Sequence, residues 1–258
     1  MEGKTIKKIT SSINYKVLVA IFVLSVLYQI SLYYMDPDEF NISEVLYLVG
    51  ILACAGFAFT VSKRYRGSEV FGKAYLSLGL AFVCWFIGDL GYVYYDHVLE
   101  IDPYPNPFDV GFAASYVFAA IHLYLNTRYF KPDWNAGMKS LAIGIPIIMG
   151  ILYTIVAYGA WGNYEEISFD LLYGNIFAVG ASVELGLAIL GAIVFRHSIL
   201  KEVWLLLVIG IFVWVISDIW YAYTEVFDAF DNTHPTNTLW MASFMTVIYA
   251  LYKHRKVV

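Results

Sequence analysis

Hydrophobic residues run through this 258-residue chain in long blocks, broken at intervals by short polar segments. A bilayer core of about 30 Å takes roughly 20 apolar residues per helical span. Blocks of that order lie at 15–35, 44–62, 74–97, 108–128, 139–160, 169–195, 202–227 and 237–252, the last of them short. None has the strict alternation of a membrane-barrel strand, and lipid leaves the backbone few choices besides a helix. The pattern predicts an all-α polytopic membrane protein with eight transmembrane helices.

The polar segments are sorted by sign. All 16 lysines and arginines fall within 4–16, 63–73, 128–139, 196–201 and 253–256. Alternating with these are 36–44, 96–109, 165–170 and 225–231, which carry acids and no basic residue. Positive charge stays on the cytoplasmic side of membrane proteins. Both termini are therefore expected in the cytoplasm and the acidic loops outside a cell membrane. An acidic rim would not attract nucleic acid or phosphate. The basic loops read as contacts to lipid headgroups. Hydrophobic residues make up 60% of the chain and charged ones 14%, which fits the same class. Tyr33, Tyr34, Tyr94, Tyr95, Trp161, Tyr223, Trp240 and Tyr252 stand at block ends and read as interfacial belts.

The first block follows Lys4, Lys7 and Lys8 but leads into Tyr33-Tyr34-Met35-Asp36-Pro37, not a small-residue cleavage site. It reads as a retained span with an inside N-terminus. Cys54 and Cys84 both fall in mid-span and read as packing residues, not as a disulfide or a metal site.

The second half of the chain echoes the first around the third and seventh blocks, while blocks 1–2 and 5–6 share little beyond hydropathy. The competing reading is a chance likeness of two aromatic-rich spans. Trp85-Phe86-Ile87-Gly88-Asp89-Leu90-Gly91-Tyr92-Val93-Tyr94-Tyr95-Asp96 is echoed by Trp214-Val215-Ile216-Ser217-Asp218-Ile219-Trp220-Tyr221-Ala222-Tyr223-Thr224-Glu225. After a one-residue gap, Pro107 matches Pro235, Ala114-Ser115 matches Ala242-Ser243, and Leu123-Tyr124 matches Leu251-Tyr252. The expected organisation is two parallel four-helix repeats, 1–131 and 132–258. An even number of spans per repeat gives both halves one orientation, with a site at their interface.

Three acids lie inside the blocks: Asp89, Glu184 and Asp218. A carboxylate at that depth is expensive and faces the bundle interior or a water-filled cavity. No lysine or arginine shares its depth. Each must hold a proton, accept hydrogen bonds from Tyr, Trp or Ser, or bind a cation. Trp85, Asp89, Tyr92 and Asp96 form one helical stripe, and Trp214, Asp218, Tyr221 and Glu225 repeat it. Asp89 precedes Asp96 by seven residues, so it lies about 10 Å below that interface. If the halves meet along these stripes, the two acids line one outward-opening, tyrosine-walled cavity. The competing reading is a pair of hydrogen-bond clamps, one in each half.

Glu184 sits mid-block among Gly174, Gly180, Gly186 and Gly191, where small residues allow close helix approach. It is a proton or cation site, or a protonated glutamate bonded to a carbonyl. His122 falls in the inner half of the fourth block and reads either as a packing residue or as part of a relay through Glu184. His97 and His234 flank the outer acidic loops, where they could join a surface metal site, a weak signal from two loop histidines. The proline-rich stretch from Glu100 to Asp109 is a rigid turn in which Asp109 caps the next helix, or a lid over the cavity through Asp102 and Asp109, or a weak calcium contact. No lysine stands in the last two blocks for a retinal Schiff base. No nucleotide-loop, zinc-protease or nucleophile-elbow motif is present either, so no cofactor or catalytic residue is called for.

Trp85-x-x-Gly88-Asp89, Tyr94-Tyr95, Pro103-Tyr104-Pro105-Asn106-Pro107-x-Asp109 and Tyr116 together resemble an uncharacterised family of membrane segments. These multi-helix segments precede histidine kinase or diguanylate cyclase domains in some bacterial and archaeal signalling proteins. The resemblance centres on 79–128, with a fainter echo at 208–252. It implies a role in sensing a membrane or extracytoplasmic signal, with Asp89 and Asp109 as the informative positions. No output domain follows 253–258, so signalling would pass through a separate cytoplasmic or membrane partner. The leading expectation is a stand-alone sensor or ligand-binding module built around Asp89 and Asp218. A small proton- or cation-coupled transporter using those acids with Glu184 comes second. A membrane-complex subunit or an intramembrane hydrolase using His122 comes third.

Overall fold

A computed structural model of the chain describes residues 13–34, 41–101, 103–161, 168–227, 229–231 and 233–257. Every described regular element is a helix: α1 (Tyr15–Tyr34), α2 (Ile42–Arg64), α3 (Phe71–His97), α4 (Asp109–Phe130), α5 (Ala136–Trp161), α6 (Ser168–Phe195), α7 (Lys201–Val226) and α8 (Pro235–Val257). Local chemistry sets several of the starts. The Asn41 side chain accepts from the backbone N–H groups of Ser43 and Glu44 to open α2. The Asn135 side chain accepts from Met138 N at 2.9 Å to open α5. Pro235, with no N–H to leave unpaired, is the first residue of α8. Lys63 and Arg64 stand in the last turn of α2, where a helix favours positive charge.

Seven of these helices, α1 to α7, are long and apolar enough to cross a membrane, the make-up of a multi-pass membrane protein. α8 is not in that set. It is longer than the hydropathy pattern indicates, reaching Val257 where the apolar block ends at 252. The reason lies in its packing. α8 is flanked by α1, α2 and α7 and buries Phe244, Val247, Ala250 and Leu251 among them. A helix sheltered by protein on several sides can carry Thr, Asn and His without exposing them to lipid.

Six helices close a ring in which each packs on the next: α2, α3, α4, α6, α7, α8 and back to α2. The other two are peripheral. α1 rests mainly on α8 and α5 mainly on α6. Polar clips hold α1 in place. Gln29 Nε2 donates to Thr233 O at 2.7 Å, Thr238 Oγ1 donates to Gln29 Oε1 at 2.6 Å, and Asn14 N donates to Tyr249 Oη at 2.7 Å. The interior of the ring is aromatic. Trp85 of α3 meets Trp214 of α7 edge to face at 4.5 Å, and Phe82 and Phe244 flank Trp214 at 5.5 and 6.1 Å. Glycine allows the close approaches. Gly88 and Gly91 of α3 lie against Phe112 and Phe108, Gly180 of α6 against Tyr116, and Gly191 against Trp204.

Candidate functional site

The stripe Trp85–Asp89–Tyr92 on α3 and its counterpart Trp214–Asp218–Tyr221 on α7 both face the centre of the ring. There the indoles touch, with ring centroids 4.5 Å apart. Between the two stripes is a cavity of about 880 Å³ that opens among the acidic loops. Asp89, Asp218, Trp85, Tyr92 and Tyr221 all line it. Trp214 packs behind Trp85 instead of reaching the wall. Six tyrosines, Tyr28, Tyr47, Tyr92, Tyr104, Tyr173 and Tyr221, contribute from α1, α2, α3, the 98–108 loop, α6 and α7.

Asp218 is 1% exposed, and its carboxylate is clamped from two sides. Tyr116 Oη of α4 donates to Oδ2 at 2.8 Å, and Trp240 Nε1 of α8 donates to Oδ1 at 2.7 Å. One clamp therefore crosses between the two halves of the chain. Trp240 is 8% exposed, so it is not the interfacial belt residue its place at a block end implies. Its ring leans against Tyr221 and Tyr47 in the cavity wall instead. Asp89 is held differently. Its neighbour is the Trp85 indole, one turn back on the same helix, and among the described residues no donor from another helix clamps it as Tyr116 and Trp240 clamp Asp218.

Four more carboxylates stand higher in the wall, Glu44, Asp96, Glu100 and Glu225, and Asp231 joins them from the loop before α8. His97 bridges two of them, with Nε2 3.0 Å from Glu44 and 3.7 Å from Asp96. Among the described residues lining the cavity there is no lysine or arginine. Low-dielectric walls around one sign of charge focus the field, so this cavity favours positive solutes.

The 98–108 loop forms part of the mouth. Ile101, Pro103 and Tyr104 line the cavity, and Tyr104 packs edge-on against Tyr173 of α6 at 5.0 Å. Asn106 fixes the turn, donating from Nδ2 to Pro103 O at 2.6 Å and accepting from Phe108 N at 2.8 Å. Asp109 does not cap α4 from the N-cap position. Phe108 occupies that place with no side-chain bond, and Asp109, the first helical residue, accepts from Asn106 N at 2.9 Å. It thus tightens the turn before the helix, and the Tyr92 and Tyr173 hydroxyls adjoin it. Asp102 lies outside the described residues.

Glu184 and His122 are not part of this cavity. On α6 the wall is made by Tyr173 and Phe177, and Glu184 follows Phe177 by seven residues, about 10 Å further toward the basic end. It is 1% exposed, with Oε1 unpaired among the described residues. His122 follows the wall residue Phe112 by ten residues on α4, about 15 Å deeper. Its Nδ1 donates to Ala74 O at 2.9 Å, and its ring packs on Tyr75 and Trp204. A second buried histidine, His254, joins that cluster against Tyr75 and Tyr65. Its neighbours Lys253, Arg255 and Lys256 disguise it in the sequence as part of a solvated basic end. His97 and His234 do not share a site, since His234 lies against Thr236, Trp220 and Phe230. No cluster of three metal-ligating side chains occurs among the described residues.

No protein-family model matches this chain, and neither a curated protein nor a solved structure matches it.

Proposed function

We propose that the chain is an integral membrane sensor or ligand-binding module that takes a ligand from outside the cell into the acidic, tyrosine-walled cavity. The observation that carries this reading is the cavity itself, which has two buried-span carboxylates, Asp89 and Asp218, at its floor. Its volume of about 880 Å³ is within the range of small-molecule sites, and its walls are aromatic with a few converging polar groups. In this reading all eight helices span the membrane, the acidic loops face outward, and both termini are cytoplasmic. Occupancy is passed to a cytoplasmic or membrane partner, in keeping with the resemblance of 79–128 to signalling membrane segments.

The two four-helix repeats belong to the same proposal. If α1–α4 correspond to α5–α8, the contact of α4 with α6 is the counterpart of that of α8 with α2, and both close the ring. The peripheral helices depart from that symmetry, α1 lying on α8 but α5 on α6. A carrier is the second reading, favoured by the unpaired Glu184 Oε1 below the cavity. A carboxylate left without partners at that depth can take up and release a proton.

The test is thiol modification of the folded, detergent-solubilised protein in a Cys54→Ala/Cys84→Ala background. Val93→Cys and Leu48→Cys line the cavity and should react with a polar maleimide, while the buried Ala250→Cys should not. If both cavity positions react only after unfolding, the cavity is closed to solutes and the reading falls.

A further inference from the structure

We propose that the occupant of the cavity is an organic cation, an alkylated or quaternary ammonium whose charge is shared between carboxylates and aromatic faces. This rests on the cavity being a ligand site, and it names the class of ligand. Three features select that class from among cations and neutral solutes.

The first is charge. Seven carboxylates line the cavity, and no described lining residue is a lysine or arginine to balance them. In the sequence, 35–40, 102, 228 and 232 also contain no basic residue. A neutral or anionic ligand would leave that field uncompensated.

The second is dispersion of the charge. A small hard cation such as calcium takes six to eight oxygens at about 2.4 Å. Among the described residues no three metal-ligating side chains converge in this way. The acids are instead spread from Asp89 and Asp218 at the floor to Glu100 and Asp231 at the mouth. Such a wall surrounds a large, weakly hydrated cation and does not coordinate a bare ion.

The third is the aromatic lining. Six tyrosines with Trp85 and Trp240 provide π faces and edges around the same space. Aromatic cages of this kind bind quaternary ammonium groups through cation–π attraction, which strengthens when the cation is desolvated. At the floor, the Asp89 carboxylate has beside it the Trp85 indole, one helical turn back on the same helix. Asp218 already has both carboxylate oxygens occupied by Tyr116 and Trp240. Asp89 is therefore the primary counter-charge, and Asp218 with its clamp forms the fixed side of the site.

The experiment is calorimetric titration of the full chain in a non-ionic detergent. The probes are benzyltrimethylammonium, choline and 3,3-dimethyl-1-butanol, the uncharged carbon isostere of choline. Benzyltrimethylammonium should bind tightest, and choline at least about tenfold more tightly than the alcohol. Asp89→Asn keeps the shape of the side chain and should weaken choline binding by about fivefold or more. The two cations should also slow maleimide modification of Val93→Cys, and the alcohol should not. The proposal is overturned if the alcohol binds as tightly as choline. It is equally overturned if the cations neither bind nor protect while Val93→Cys reacts in the folded protein, an outcome that leaves the cavity open but assigns it to another ligand. If Val93→Cys and Leu48→Cys are both inert, the cavity reading fails and the cation with it.

Discussion

Asp218 and Asp89 occupy equivalent places in the sequence stripes but unequal places in the energetics of the bundle. Asp218 accepts from Tyr116 and Trp240 on two other helices, so its removal strands two buried donors. Interhelical hydrogen bonds in membrane proteins contribute on the order of 1 kcal/mol each. Tyr116→Phe or Trp240→Phe should therefore cost about 1 kcal/mol, and Asp218→Ala about 2 kcal/mol, in unfolding titrations from mild detergent into dodecyl sulfate. Asp89→Asn keeps the side chain's shape and an oxygen to accept from the Trp85 indole of the same helix, so it should change stability by less than about 0.5 kcal/mol. Equal destabilisation by the Asp89 and Asp218 variants would contradict the division between an acid clamped across helices and one that is not. The sequence makes both acids visible, because helical periodicity places Trp85, Asp89 and Tyr92 on one face. It does not reveal Trp240 or Tyr116 as the partners of Asp218, since those come from helices 22 residues further on and 102 residues before it. Pairing over such separations leaves no periodic trace.

At the scale of helices, hydropathy alone places α1 to α8 to within a few residues at most ends. The apolar blocks at 169–195 and 202–227 fall on α6 (Ser168–Phe195) and α7 (Lys201–Val226). α8 is the exception, because its polarity reflects shelter by neighbouring helices that a one-dimensional hydropathy profile does not contain. Glu184 and His122 show the same limit. Each is legible as a buried polar group, yet which turn of α6 or α4 reaches the cavity depends on how the helices are stacked. Close approach through glycine is one determinant of that stacking. Gly180 lies directly against the Tyr116 ring, so Gly180→Val overpacks the α4–α6 contact and should cost about 1–3 kcal/mol. Gly56→Val, with open space where its side chain would go, should be nearly neutral in the same titration. The peripheral α1 gives a further test. Gln29→Leu removes the side-chain bonds to Thr233 and Thr238. It should raise hydrogen exchange of α1 amides above the rest of the bundle, and uniform protection across α1 to α8 would show that the clip does not hold the helix.

For the whole molecule, the segregation of charge and the placement of the cavity are one property. Keeping every basic residue in five segments leaves the opposite end of the bundle acidic. The cavity lies toward that end, with Trp85, Asp89 and the loop acids Glu100 and Asp231 in its wall, so its lining is acidic as well. A cavity that receives a cation from outside needs this end exposed to the exterior. The direct measurement uses sealed right-side-out membrane vesicles and a membrane-impermeant maleimide, with Val93→Cys at the cavity and Ser198→Cys at the basic end, each in the Cys54→Ala/Cys84→Ala background. Val93→Cys should be labelled in intact vesicles, and Ser198→Cys only after they are opened. Labelling of Ser198→Cys in intact vesicles, with Val93→Cys protected until lysis, would turn the cavity to the cytoplasm and contradict an outward-facing ligand site.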